Sequence, residues 1–239
     1  MTGASTVTMR IWRVPATAVP GAIARVGAQR RGLRNVPGLT FAKQLGTGSG
    51  QSFTLRDAEL RRWALLTVFA DAAAAGRFDD SEIIHAWRQA AEEELRLELA
   101  PLSSRGSWAG QDPFAAPPPK HRWEGPTAAL TRARIRPGQW RRFWASVPLV
   151  AADLRERAGL EVSLGIGEAP VGLQGTFSVW RSNRELTEFA QRGAAHRAVV
   201  DETARRQWYA EELFARFAVL GVAGTFDGRT IGGTPRHGS

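Results

Sequence analysis

Residues 176–196, TFSVWRSNRELTEFAQRGAAH, read as one strand, one turn and one helix that ends on a histidine. Thr176 to Trp180 is β-branched and aromatic, and Ser182 stands where a helix N-cap accepts a backbone N–H. Leu186, Phe189 and His196 follow at spacings of three and seven, so one helix face carries an apolar patch and one nitrogen ligand. The unit occurs twice. Val68 to His85, VFADAAAAGRFDDSEIIH, aligns without a gap on Val179 to His196, which pairs Phe69 with Trp180, Phe78 with Phe189 and His85 with His196 at an offset of 111.

The rest of the chain extends the repeat. Thr6–Arg13 has strand composition, Ala16–Arg31 is helical, and Leu39–Leu45 and Trp63–Phe69 are strands. Asp71–Ala91 is a second helix, and Glu94–Leu99 alternates apolar and charged residues as a half-buried strand does. The order is βαββαβ. In the second half Thr131–Pro137 matches Met9–Pro15 at an offset of 122, and Gly159-Leu160 matches Gly38-Leu39 at 121. Gln139–Arg157 is its helix, Leu160–Gly165 its strand, Gln207–Phe217 an amphipathic turn or helix, and Ala218–Ala223 the last strand. The GTGSG loop after Leu45 lies between strands and is a weak phosphate cradle.

These elements define an α+β fold of two tandem ferredoxin-like βαββαβ repeats forming a single-chain dimeric α+β barrel. The expected divisions are a first repeat at 1–102, a Pro/Gly/Trp-rich connector at 103–126, a second repeat at 127–224 and a flexible tail at 225–239. The connector holds Trp108, Phe114 and Trp123, rings suited either to a lid over a pocket or to packing on the barrel. Each half of such a barrel leaves space between its sheet and helices for an apolar ligand or cofactor.

Composition narrows the chemistry. The 239 residues contain no cysteine, which excludes disulfides, thiolate nucleophiles and cysteine-ligated haem. No stretch reaches the ~20 apolar residues of a membrane span, and Met1–Arg10 lacks the apolar centre of a signal peptide, so the protein is expected to be cytoplasmic. The net charge of +9 comes mostly from scattered arginines, which suit an acidic electron-transfer partner or anionic groups such as haem propionates; nucleic acid is not an expected partner.

Five segments, SSRGSWAGQDPF (103–114), ALTRARIRP (129–137), GIGEAPVG (165–172), TFSVWRS (176–182) and WYAEELFARF (208–217), resemble the spheroidene monooxygenase family of haem-dependent carotenoid oxygenases. The Val-Trp-x-Ser run followed by Phe and His is also similar to haem-degrading monooxygenases of the same superfamily, in which the equivalent helical histidine ligates haem iron. The resemblance implies haem b held by His196, with Phe189 and Trp180 beside it and His85 as the rival ligand; His121 and His237 have no supporting context. It further implies O₂ as co-substrate, an acidic electron donor such as a ferredoxin, and oxygenation at the terminal C2 methylene of an acyclic carotenoid. Glu168 is read either as lining the slot or as capping its loop. A carotenoid substrate implies transient membrane-surface contact, peripheral to the inner membrane, although no basic amphipathic helix stands out as the docking element. Two other readings remain open from the residues: a cofactor-free monooxygenase of the same barrel class, and a non-catalytic binder of haem or another hydrophobic ligand.

Overall fold

The computed structural model describes residues 5–48, 57–114, 122–135, 159–168, 173–192 and 209–232. Its strands are β1 (Thr6–Arg13), β2 (Leu39–Gly48), β3 (Ala58–Phe69), β4 (Glu93–Gly106), β5 (Thr127–Ile135), β6 (Leu160–Gly167), β7 (Leu173–Trp180) and β8 (Tyr209–Gly224). The described helices are α1 (Val19–Leu33), preceded by a 3-10 turn at Ala16–Ala18, α2 (Ala72–Asp79), α3 (Glu82–Ala90) and α4 (Asn183–Arg192). The strands close into a barrel in the order β1-β3-β2-β6-β7-β5-β8-β4, so the α+β barrel expectation holds. Read from either half this is the ferredoxin-like order, β4-β1-β3-β2 and β8-β5-β7-β6.

Two compact units divide the chain: Met1–Leu45 with Leu60–Ala100 and Val219–Ser239, and Gly46–Glu59 with Pro101–Ala218. In the first, β1 lies antiparallel between β3 and β4, and its alternation sorts Val7, Met9 and Ile11 to one face and Thr8, Arg10 and Trp12 to the other. Trp12 stacks on Trp87 of α3 with ring centroids 5.1 Å apart, and Phe69 packs on Phe78 of α2 at 5.4 Å. Val14, Leu65 and Ile84 complete this fully desolvated cluster. In the second unit β5 lies between β7 and β8, and β6 pairs with β7.

The same local devices recur at matching positions. Ala70 N donates to Gly38 O and Arg181 N to Gly159 O, both at 2.9 Å. Asp71 caps α2 by accepting from Ala74 N, and Ser182 caps α4 by accepting from Glu185 N. After β4, Trp108 and Gln111 bridge across Ala109 and Gly110; after β8, Phe226 and Arg229 bridge across Asp227 and Gly228. All four central residues have positive φ, the requirement of a type I′ turn. Gly106 and Gly224 end the two strands where a Cβ would collide with the carbonyls of Glu212 and Glu94, respectively, so only glycine fits. These recurrences support a duplicated half-barrel.

Several expectations are corrected. Thr6 lies opposite Phe69 and Thr127 opposite Trp180, which sets the first-strand offset at 121 rather than 122. The helix expected over Asp71–Ala91 is broken in two, because Ser81 Oγ donates to Phe78 O at 2.7 Å and accepts from Ile84 N, restarting the helix as α3. The turn or helix expected over Gln207–Phe217 is strand from Tyr209 onward: Leu213, Ala215 and Phe217 are buried in alternation, a period of two that the Glu-Glu-Leu composition disguised. Pro101–Gly106, expected to lie largely in the connector, continues β4, and residues 225–232 of the expected tail form an ordered turn with Phe226 and Ile231 buried. The helix expected over Gln139–Arg157 lies outside the described residues.

Candidate functional site

The strand–turn–helix read from residues 176–196 is present as β7 and α4 up to Arg192. Ser182 Oγ accepts from Glu185 N at 3.2 Å and donates to the Glu185 carboxylate at 3.0 Å, which fixes where the helix begins. Trp180, 1% exposed, then meets Phe189 two helical turns on, with ring centroids 5.2 Å apart and planes tilted by 30°. Its Nε1 donates to Ser178 Oγ at 3.0 Å, so the indole is anchored at both its face and its polar edge. Leu186 is buried on the same helix. His196 lies outside the described residues, as do His121 and His237.

His85 is described, and it faces solvent: Ile84 and Trp87 of α3 are buried while His85 is exposed. The break at Asp80–Ser81 explains this, since the seven-residue spacing from Phe78 no longer runs along one continuous helix. The same space in the first unit is occupied. Arg10, 0% exposed, is ion-paired with Asp79, donates to Thr8 Oγ1 at 2.9 Å and lies over the Phe78 ring. Burial, together with the neighbouring Arg96 charge, pulls the Arg10 guanidinium down to about 10. Asp79 also takes Arg96 at 2.9 Å. His85 is therefore removed from the expected pocket face.

A second constellation, in the second unit, went unrecognised in the sequence. Trp108 Nε1 donates to Glu168 Oε1 at 2.6 Å, and Arg132 Nη2 donates to the same oxygen at 3.3 Å. Arg132 Nη1 pairs with Glu211 Oε2, and the guanidinium lies over the Trp108 ring at 5.5 Å. Glu211 Oε1 also accepts from Gly110 N at 2.9 Å and Ser107 Oγ at 3.3 Å. Burial acts to raise the Glu211 carboxyl, but the Gly110 N–H and Arg132 outweigh it and hold the group down at about 2. Arg132 is 4% exposed, so this is a buried charge whose two terminal nitrogens each meet a carboxylate. Because Thr127 is the residue opposite Trp180, Arg132 projects from the other face of the β5–β7 ladder. Glu168 therefore belongs to this network, and the Trp180–Phe189 stack to a separate surface. One signal was available in the sequence: Trp108, Arg132, Glu168 and Glu211 each sit in a different one of the segments that carry the family resemblance.

Among the described residues no group of three or more His, Asp or Glu side chains is arranged to hold a metal ion. The described part of the α4 site is apolar: a stacked indole and phenyl ring with a buried leucine.

A closed α+β barrel of this topology places the chain among the dimeric α+β barrel proteins. An aldoxime dehydratase crystallised with butyraldoxime is similar over 90% of this chain and 79% of its own, with a TM-score of 0.60 at 8% identity, a likeness of fold. No family model matches the chain. The spheroidene monooxygenase of Rubrivivax gelatinosus is 42% identical over 198 residues, 82% of this chain and 75% of that protein. That of Rhodobacter capsulatus is 35% identical over 219 residues, 89% of each chain. The chain belongs to the spheroidene monooxygenase family, and its class is that of the monooxygenases, a kind of oxidoreductase.

Proposed function

We propose that this protein is a haem-dependent monooxygenase that oxygenates the terminal C2 methylene of an acyclic carotenoid. The observation that carries the reading is the Trp180–Phe189 stack between the end of β7 and α4, the helix that precedes the expected ligand His196 in the sequence. Haem b, held through the His196 imidazole, would supply activation of O₂. The chain's own part is to anchor and orient. Ser182 fixes where α4 begins, and the Trp180–Phe189 stack supplies a dry apolar wall for a ring or polyene.

Each turnover inserts one oxygen atom from O₂ into a C–H bond and reduces the other to water with two electrons and two protons. A second hydroxylation at the same carbon gives a geminal diol, which loses water to form the ketone. The electrons come from an acidic carrier of the ferredoxin kind, and the reaction takes place in the cytoplasm beside the inner membrane. No helix among the described residues is long and apolar enough to cross a membrane.

The test is an absorption spectrum of the purified protein beside its His196→Ala variant. A Soret band that is lost or shifted in the variant is expected. An unchanged band would reject His196 as ligand, and oxygenation by colourless, metal-free protein would favour the cofactor-free reading.

A further inference from the structure

The arginines run through the whole chain, but residues 1–56 contain eight basic side chains and no Asp or Glu, so this segment alone carries its positive charge uncompensated. The structure places much of this charge on α1. The inner side of that helix is committed: Ala22 and Leu33 are buried, Arg25 lies over the Trp87 ring at 5.1 Å, and Gln29 Oε1 accepts from Trp87 Nε1 at 2.9 Å. Its outer side is not. Pro20, Ile23, Gly27, Arg30, Arg31 and Arg34 are exposed, and the three arginines make no ion pair among the described residues. Ile23, Gly27, Arg30 and Arg34 follow one helical stripe. Ile23 is 52% exposed, a large apolar side chain on the stripe that leads to the cations. Arginines in a last turn complement the helix dipole, but that accounts neither for the exposed isoleucine nor for Arg34 beyond the helix end.

We propose that the outer face of α1 docks on the surface of an anionic lipid bilayer. Arg30, Arg31 and Arg34 meet lipid phosphates while Ile23 and Pro20 enter the headgroup boundary. Charge complementarity supplies the attraction, and the exposed apolar side chains favour a bilayer over an acidic protein. The proposal rests on the carotenoid reading above in one respect: an apolar polyene resides in the bilayer, so an enzyme acting on it must reach that surface.

The experiment is flotation of the full-length purified protein with phosphatidylcholine vesicles, with and without phosphatidylglycerol. The variants are R30Q/R31Q/R34Q, Ile23→Asp, and a charge-matched control, R77Q/R181Q/R229Q, with circular dichroism as the check on folding. Binding to the anionic vesicles alone, reversed by salt, is expected for the wild type and the control. The α1 triple variant should bind roughly a hundredfold more weakly, and Ile23→Asp should also bind more weakly. Equal flotation of the α1 triple variant and the wild type, or no flotation of the wild type, overturns the proposal. So does slower reduction of the triple variant by an acidic ferredoxin with vesicle binding unchanged, which would assign the face to a protein. Oxygenation of a detergent-solubilised carotenoid is measured alongside. If it is absent while flotation follows the expected pattern, the substrate reading fails and the docking face stands; if it is present while flotation ignores α1, the docking face fails alone.

Discussion

Trp108 and Glu168 are joined by a 2.6 Å hydrogen bond from the indole Nε1 to a carboxylate oxygen that also accepts from Arg132. The bond ties the turn after β4 to the end of β6 within the second unit. Glu168→Gln should keep the shape and remove the charge, at a cost of about 1–3 kcal/mol. Urea denaturation followed by far-ultraviolet circular dichroism reads the stability; an unchanged midpoint would show that the carboxylate charge is dispensable.

Arg132→Ala is expected to be more damaging than either carboxylate substitution, because it leaves Glu168 and Glu211 facing one another without their shared cation. The expected loss is about 3–5 kcal/mol. Arg132→Lys should recover only part of it, since an ammonium cannot reproduce the fork that reaches both carboxylates. Equal stability of the Lys variant and the wild type would contradict the geometry.

Glu211 makes stability depend on acid. Its folded-state pKa, about 2, lies below the ordinary 4.5, so the unfolded chain takes up the proton first as pH falls. Its contribution is complete above pH 4.5 and disappears as pH drops toward 2. Denaturation midpoints measured across that window should fall less steeply in Glu211→Gln than in the wild type, from a lower plateau.

His85→Ala should alter stability by less than about 0.5 kcal/mol, as expected for an exposed side chain, and should leave any haem spectrum unchanged. Loss of the Soret band in that variant would restore the first half as the ligand-bearing one.

Trp180→Ala removes a fully buried ring and its stack on Phe189, with an expected cost of about 3–5 kcal/mol. Trp180→Phe should cost less. Thermal denaturation with and without added haem separates packing from ligand binding: if Trp180 lines the haem site, the Phe variant loses ligand-induced stabilisation out of proportion to its intrinsic destabilisation.

The features legible in the sequence were those governed by neighbours along the chain. Ser182 caps α4 because a hydroxyl three residues before a free N–H is a local arrangement, and the pairing of Phe69 with Trp180 was visible because the two copies align there without a gap. The restart at Ser81 was a local signal as well, but the helical pattern on either side concealed it.

By itself the sequence determined the strand–turn–helix unit and the α+β class, which follow from spacing and short-range chemistry, and the family, through the resemblance carried by its motif segments. Only the tertiary structure decided that Tyr209–Gly224 is one strand, that the first strands match at an offset of 121, that His85 faces solvent, and that Trp108, Arg132, Glu168 and Glu211 meet. The physical reason is register. Arg132 reaches Glu168 across 36 positions and Glu211 across 79, and no local rule specifies such distances until the strand ladders bring those side chains to one face.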